Sequence, residues 1–241
     1  KHNLDYGFSS YWNANVTTVL SENQIKIRSI HVRGLPMPMR HLSSNAWYRA
    51  NAYNGSTFFL FSEEEYALVD WPLMEEYLGK PAREFTDGSW QIVVYSFNVA
   101  SKLPGWDDMI TEPRKFILTK KSFHQIGQFM EKDNKSWLEA VKGEVGFLAY
   151  GPYVNLGSGK YEALFNIWTD DVDEITAIPG TVDVACDGVA LIAKDISMKK
   201  GKQKITLPFE VIGKNGRCEF RVFSRGITTL KSKAIIASRV K

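Results

Sequence analysis

At 241 residues, with 44% apolar and 13% aromatic residues, the chain can fill one large core or two ordinary ones, which excludes wholesale disorder. Lys and Arg number 30 against 27 Asp and Glu, a formal charge of +3 that is too small to argue for nucleic acid as a partner. No run approaches the ~18 to 20 apolar residues of a spanning helix, and a first residue of Lys1 rather than Met is read as a piece of a larger protein.

In chain order, Trp12, Val16, Val19 and Leu20 recur at helical spacing between Ser10 and Ser21, with Phe8 one turn earlier. This predicts a helix resting on its apolar stripe, with Trp12 on that stripe. An alternating strand from Gln24 to Val32 follows, then a Pro-Met-Pro loop at 36–38, a strand at Thr57 to Phe61 and an acidic turn at Glu63 to Glu65. Asp70 and Pro72 start a short helix that Gly79 and Pro81 stop. Asp87-Gly88 between Phe85 and the run Trp90 to Phe97 predicts a hairpin. This order suggests a small α/β domain over residues 1–105.

Residues 106–140 read as a connector, with a short strand at Phe116 to Leu118, a helical turn or two at Ser122 to Met130, and a loop at Asp133 to Ser136. Residues 141–241 change to period two. The alternating sets are Val145, Phe147 and Ala149; Val182, Val184 and Cys186; Val189, Leu191 and Ala193; Ile205, Leu207, Phe209 and Val211; and Cys218, Phe220 and Val222. Short alternating runs broken by Gly-rich turns predict an all-β, jelly-roll-like sandwich, so the fold class is α+β. Cys186 and Cys218, the two cysteines, read either as small buried hydrophobes or as a disulfide, in both cases on neighbouring or facing strands.

Chemistry-bearing motifs are few. Gly157-Ser158-Gly159-Lys160 fails as a phosphate loop, because Val154 stands where the first Gly belongs and Tyr161 where the Ser or Thr belongs. His2, His31, His41 and His124 show no metal-ligand spacing, and no nucleophile elbow exists, so neither a metal, a cofactor nor a catalytic residue is assigned. Lys199-Lys200-Gly201-Lys202 reads as a solvated loop. Asp170, Asp171, Asp173 and Glu174 beside Trp168 read as a solvated loop, or alternatively as a sugar- or calcium-binding one.

The segment Tyr6-Gly7-Phe8-Ser9-Ser10-Tyr11-Trp12-Asn13-Ala14, followed by Leu20-Ser21 and a strand carrying Lys26 and Arg28, resembles the soluble C-terminal part of polytopic bacterial glycosyltransferases that use polyprenyl-phosphate sugars. Residues 1–100 carry this likeness. Gly151-Pro152-Tyr153-Val154-Asn155-Leu156, with Gly159-Lys160-Tyr161 and Cys218-Glu219-Phe220-Arg221-Val222, resembles carbohydrate-binding β-sandwich modules over residues 141–241.

The resemblances imply a non-catalytic, extracytoplasmic domain tethered to the membrane portion of its parent, because the catalytic acid of such transferases lies between membrane helices. They imply weak contact with a glycan or lipid-linked sugar. Rings that stack on pyranose faces and polar groups that meet hydroxyls single out Tyr11, Trp12 and Asn13 in the first part, and Tyr153, Trp168 and Arg221 in the second. The rival readings are a self-contained glycan hydrolase and a structural module that binds a partner protein.

Overall fold

The computed structural model describes residues 2, 4–41, 43–133, 135–170, 177–213 and 216–240, and the chain divides into two units, Lys1–Asp107 and Asp108–Lys241. Unit 1 runs β1 (Tyr6–Ser9), α1 (Tyr11–Leu20), β2 (Lys26–His31), β3 (Met37–Pro38), β4 (Thr57–Ser62), α2 (Glu63–Ala67), α3 (Trp71–Leu78), β5 (Arg83–Asp87) and β6 (Trp90–Tyr95). Its six-stranded sheet has the order β3-β2-β1-β4-β6-β5. β1 is parallel to both β2 and β4. Parallel neighbours need a crossover, and α1 supplies the first one.

Local chemistry sets the helix ends. Ser62 and Glu65 form a reciprocal capping box at the start of α2. Asp70 caps α3 at its N-terminus, Pro72 lies in the first turn, and Gly79 ends the helix with a φ of 76°. One face of the sheet carries Phe8, Phe59, Phe61, Val93 and Tyr95, packed with Met74 and Leu78 of α3 and with Trp106. The Trp106 ring meets Phe8 edge-on at 4.7 Å, and its indole N–H donates to the Pro36 carbonyl at 2.7 Å. The other face carries Ile27, Phe58, Ile92 and Val94 against Ala14 of α1.

That last contact reverses the helical expectation. α1 forms, but Trp12, Val16, Val19 and Leu20 are exposed and Ala14 is its buried residue. Small and polar side chains bring the helix close to the sheet: Thr18 Oγ accepts from the Ile27 amide at 3.0 Å, one turn from Ala14. An apolar stripe records hydrophobicity, not which face a close approach requires.

Unit 2 contains β7 (Arg114–Phe116), β8 (Gln128–Lys132), β9 (Lys135–Ala140), β10 (Val145–Ala149), β11 (Val154–Leu156), β12 (Gly159–Thr169), β13 (Gly180–Cys186), β14 (Val189–Asp195), β15 (Gly201–Val211), β16 (Gly216–Arg225), β17 (Leu230–Ser232) and β18 (Ile235–Arg239). They make a five-stranded sheet, β10-β16-β13-β14 with β11 on β16, and a seven-stranded sheet, β7-β18-β12-β17-β9-β8 with β15 on β12. Both sheets contribute to one core. Val182, Val184, Phe220 and Val222 of the first meet Phe165, Ile167, Leu207 and Leu230 of the second. Phe220 touches Phe116 at 5.2 Å and Phe209 at 6.2 Å between ring centroids. Two antiparallel sheets sharing a dry interior make a β-sandwich. Cys186 and Cys218 sit opposite one another on β13 and β16 and are disulfide-bonded, with Cα atoms 4.0 Å apart.

Residues 106–140 are not a connector. Trp106 belongs to the core of unit 1, and β7, β8 and β9 are members of the seven-stranded sheet. The stretch expected as helical turns at Ser122 to Met130 ends in strand β8, whose Phe129 pairs with Leu138 of β9. These short strands are too irregular in pattern to announce themselves alone. β10 starts one residue out of the expected phase, with Val145 exposed and Phe147 paired to Phe223 on the outer face, and a register shift against β16 between Phe147 and Ala149 then leaves both Leu148 and Ala149 buried. β14 is an edge strand, and its Val189 and Leu191 are exposed.

Gly7 lies against Phe58, and a Cβ there would meet that ring at 2.5 Å. Gly7→Ala is therefore expected to destabilise unit 1 by about 1–3 kcal/mol, read as a lower urea midpoint. The Cys186–Cys218 bridge closes a loop of sequence separation 32, for which loop-closure entropy predicts about 3–4 kcal/mol. The double substitution to Ser should lower the unfolding free energy by that amount, read from urea unfolding, and a reducing agent should do the same to the wild type while leaving the variant unmoved.

Candidate functional site

In β16 the inward residues Cys218, Phe220 and Val222 alternate with Arg217, Glu219, Arg221 and Phe223 on the outer face. Cross-strand register completes that outer face. Asp183 of β13 lies opposite Arg221, and Phe147 of β10 lies opposite Phe223. Arg221 donates through Nε to Asp183 Oδ1 at 2.6 Å and through Nη2 to Oδ2 at 3.2 Å. Its Nη1 lies 3.6 Å from Glu219 Oε1. Burial works against the guanidinium charge, but the hydrogen bond and charge of Asp183, with Glu219, more than offset it, and the Arg221 pKa stays above its ordinary value.

Tyr153 joins this network from the segment before β11. It follows a cis Gly151-Pro152 bond and holds a φ of 62°, a left-handed conformation that a bulky side chain rarely adopts. Burial, then the nearby Glu219 carboxylate, which also accepts a hydrogen bond, push its phenol up from the usual value. The phenol therefore stays a neutral donor across the physiological range.

Around Tyr153 the rings accumulate. Phe123 is 51% exposed and stacks on Tyr150 at 5.5 Å. Both rings meet Tyr153, at 5.6 and 6.5 Å. Tyr150 reaches Phe147, which packs on Phe223 at 5.3 Å. Arg217 lies over the Tyr153 ring at 5.0 Å and Arg221 over Phe147 at 5.2 Å. The result is a half-exposed aromatic surface edged by a fixed carboxylate–guanidinium network. Such a surface offers π faces to the C–H side of a sugar ring, with donors and acceptors for its hydroxyls.

Of the residues singled out from sequence, Tyr153 and Arg221 converge here through Glu219. Trp168 does not. It stands on the outer face of the seven-stranded sheet, with the Lys202 and Lys233 ammoniums each 5.3 Å from its ring. Asp170 is held by Lys231 at 2.7 Å, while Asp171, Asp173 and Glu174 lie outside the described residues. Tyr11, Trp12 and Asn13 belong to α1 of unit 1, where Tyr11 and Trp12 meet edge-on at 5.4 Å and Asn13 donates to Glu65 Oε2 at 3.2 Å.

Alternation places Phe147 inward, where the structure has it on the outer face, and gives no site role to Phe123, Tyr150, Asp183 or Glu219. The outward half of each alternating strand carried the signal, since Asp183, Glu219 and Arg221 are charges set between inward apolar residues. Among the described residues, no group of three His, Cys, Asp or Glu is placed to hold a metal ion, and no helix is long and apolar enough to cross a membrane.

No protein-family model matches the chain, and no curated protein does. Solved structures similar to it include the C-terminal CBM6, a carbohydrate-binding module, of LamC, a marine laminarinase from Zobellia galactanivorans. The two are 11% identical with a TM-score of 0.40 over 53% of this chain and 100% of that one. CsCBM6-3 from Clostridium stercorarium, in complex with cellobiose, is 10% identical at a TM-score of 0.38, over 52% and 93%. The insecticidal delta-endotoxin Cry8Ea1 from Bacillus thuringiensis is 9% identical at 0.37, over 63% of this chain and 28% of that one. The assignment of unit 2 as a sandwich rests on its own strand register and core.

Arg221→Ala is expected to leave Asp183 and Glu219 facing one another without a counter-charge. The cost should be about 2–3 kcal/mol, below the 3–5 of a fully buried pair because the Arg221 side chain keeps 19% of its exposure. Asp183→Asn with Arg221→Met, which removes the pair together, should cost less than Arg221→Ala alone in urea unfolding.

Proposed function

We propose that the outer face of the five-stranded sheet binds glycan, and that the chain is a non-catalytic, extracytoplasmic region of a membrane glycosyltransferase of cell-surface glycan assembly. In this reading unit 1 is an α/β domain and unit 2 a jelly-roll-like sandwich of the carbohydrate-binding kind. The observation that carries it is the convergence of Tyr153, Phe123 and Tyr150 on the Arg221–Glu219–Asp183 network. Large rings are left half-exposed there beside polar groups that packing has already oriented. The strained backbone at Tyr153 supports the same reading, since left-handed bulky residues cost about 1–3 kcal/mol and gather where function needs them. The disulfide fits an oxidising compartment. The glycosyltransferase parent rests on the likeness of residues 1–100 alone.

A shallow face contacts few sugar units, so the expected dissociation constants are about 10 μM to 1 mM. Calorimetric titration against neutral oligosaccharides should give binding that Tyr153→Ala or Phe123→Ala weakens about 3–10-fold, the loss of one stacking contact. Trp168→Ala, on the opposite sheet, should leave it unchanged. Binding lost with Trp168 and kept without Tyr153 would move the site to the other face, and turnover of the sugar abolished by one carboxylate substitution would make the protein a hydrolase.

A further inference from the structure

Unit 1 holds an open cavity of about 600 Å³ whose charged lining is three basic residues, Lys26, Arg28 and Arg49, against one acidic residue, Asp5. Its walls are the rings of Tyr6, Trp47 and Tyr53. We propose that this cavity binds an anionic sugar, a pyranose carrying a phosphate or a carboxylate, at a site separate from the face on unit 2.

The argument begins with strand phase. Lys26, Arg28 and Ile30 alternate on β2, and Ile30 packs in the same core as Tyr6 and Phe8 of the neighbouring β1. Arg28 therefore occupies a position whose neighbour along the strand is apolar and buried. Among the described residues neither Arg28 nor Lys26 forms an ion pair. The guanidinium is instead laid over the Trp47 ring at 4.1 Å, with Tyr6 at 5.5 Å. Its Nε is buried without a hydrogen-bond partner. A charge desolvated on one side by rings and left without a counter-ion is a costly arrangement, and an incoming anion relieves it.

The holding elements are rigid. Tyr48, fully buried, donates to the Ser29 carbonyl at 2.6 Å and anchors the 3-10 turn Asn45–Tyr48 that presents Trp47. Tyr6 donates to the Trp47 carbonyl at 2.7 Å and stacks on Tyr53 at 4.9 Å, nearly parallel. Arginine is thus pre-organised with its planar face fixed, the state in which its edge N–H groups donate to carboxylate or phosphate oxygens. The adjoining rings suit a pyranose body, and Lys26 adds a second positive charge. Charge selects the anion, and the rings select the sugar that carries it.

Titration of the full chain with glucose 1-phosphate, glucuronate, glucose and inorganic phosphate, followed by calorimetry at low and high salt, tests this. Glucose 1-phosphate or glucuronate should bind at least about 10-fold more tightly than glucose, with affinity falling as salt rises. Arg28→Gln should weaken binding about 10-fold or more, and Trp47→Ala about 3–10-fold. Lys26→Gln alters an exposed side chain, keeps the fold, and should weaken binding about 2–5-fold. Tyr153→Ala should leave it unchanged, which separates this site from the one on unit 2. Glucose binding as well as its charged forms, or affinity unmoved by both Arg28→Gln and Lys26→Gln, would overturn the proposal. Inorganic phosphate matching glucose 1-phosphate would remove the sugar from it.

Discussion

Period-two alternation along β16 is the constraint on which unit 2 depends. The strand pairs with β10, β11 and β13, and is linked to β13 through Cys218. Its inner residues close the sandwich core. Because successive side chains must point to opposite faces, the same ten residues carry Arg217, Glu219, Arg221 and Phe223 outward. Stability and recognition are therefore written on one strand in alternate positions. A slip of one residue would bury the charges and expose the core together.

The two candidate sites handle charge differently. On unit 2 the guanidinium of Arg221 is satisfied internally by Asp183, so it orients polar atoms at the edge of an aromatic surface and carries little unbalanced charge of its own. That suits neutral hydroxyls, which ask for fixed donors and acceptors. In unit 1 Arg28 lies against the rings of Trp47 and Tyr6, with the Tyr6 phenol as a neutral hydrogen-bond partner and no carboxylate paired to it among the described residues. That suits an anion. The distinction rests on where the counter-ion is: built into the fold in the first case, and left to the ligand in the second.

Trp168 and Trp12 show why an aromatic residue by itself is a poor guide to a sugar site. Both are open to solvent to some degree, Trp12 at 76%. Trp168 lies between two lysines and Trp12 on a helix whose nearest ring is Tyr11. Tyr153 differs because two elements distant in sequence, the Phe123 segment and β16, converge on it, and Tyr150, three residues earlier, joins them.

Alternation and turn chemistry alone determined the all-β character of the second half, the ends of α3, and the hairpin of β5 and β6, because each is encoded within a few neighbouring residues. Ring and polar residue types singled out Tyr153 and Arg221 together with Tyr11, Trp12, Asn13 and Trp168, and alternation could not say which of them share a surface. Tertiary structure decided the rest. Which face of α1 meets the sheet depended on how closely Ala14 and Thr18 let it approach. The phase of β10 depended on its pairing with β16, which sets Phe147 opposite Phe223, and the membership of β7 to β9 on strands far away in sequence. The convergence of Phe123, Tyr150 and Tyr153, and the seating of Arg28 on Trp47, depended on loops whose endpoints are set by the sheets. Local periodicity reports which residues avoid water. Only long-range packing decides which of those left at the surface stand together.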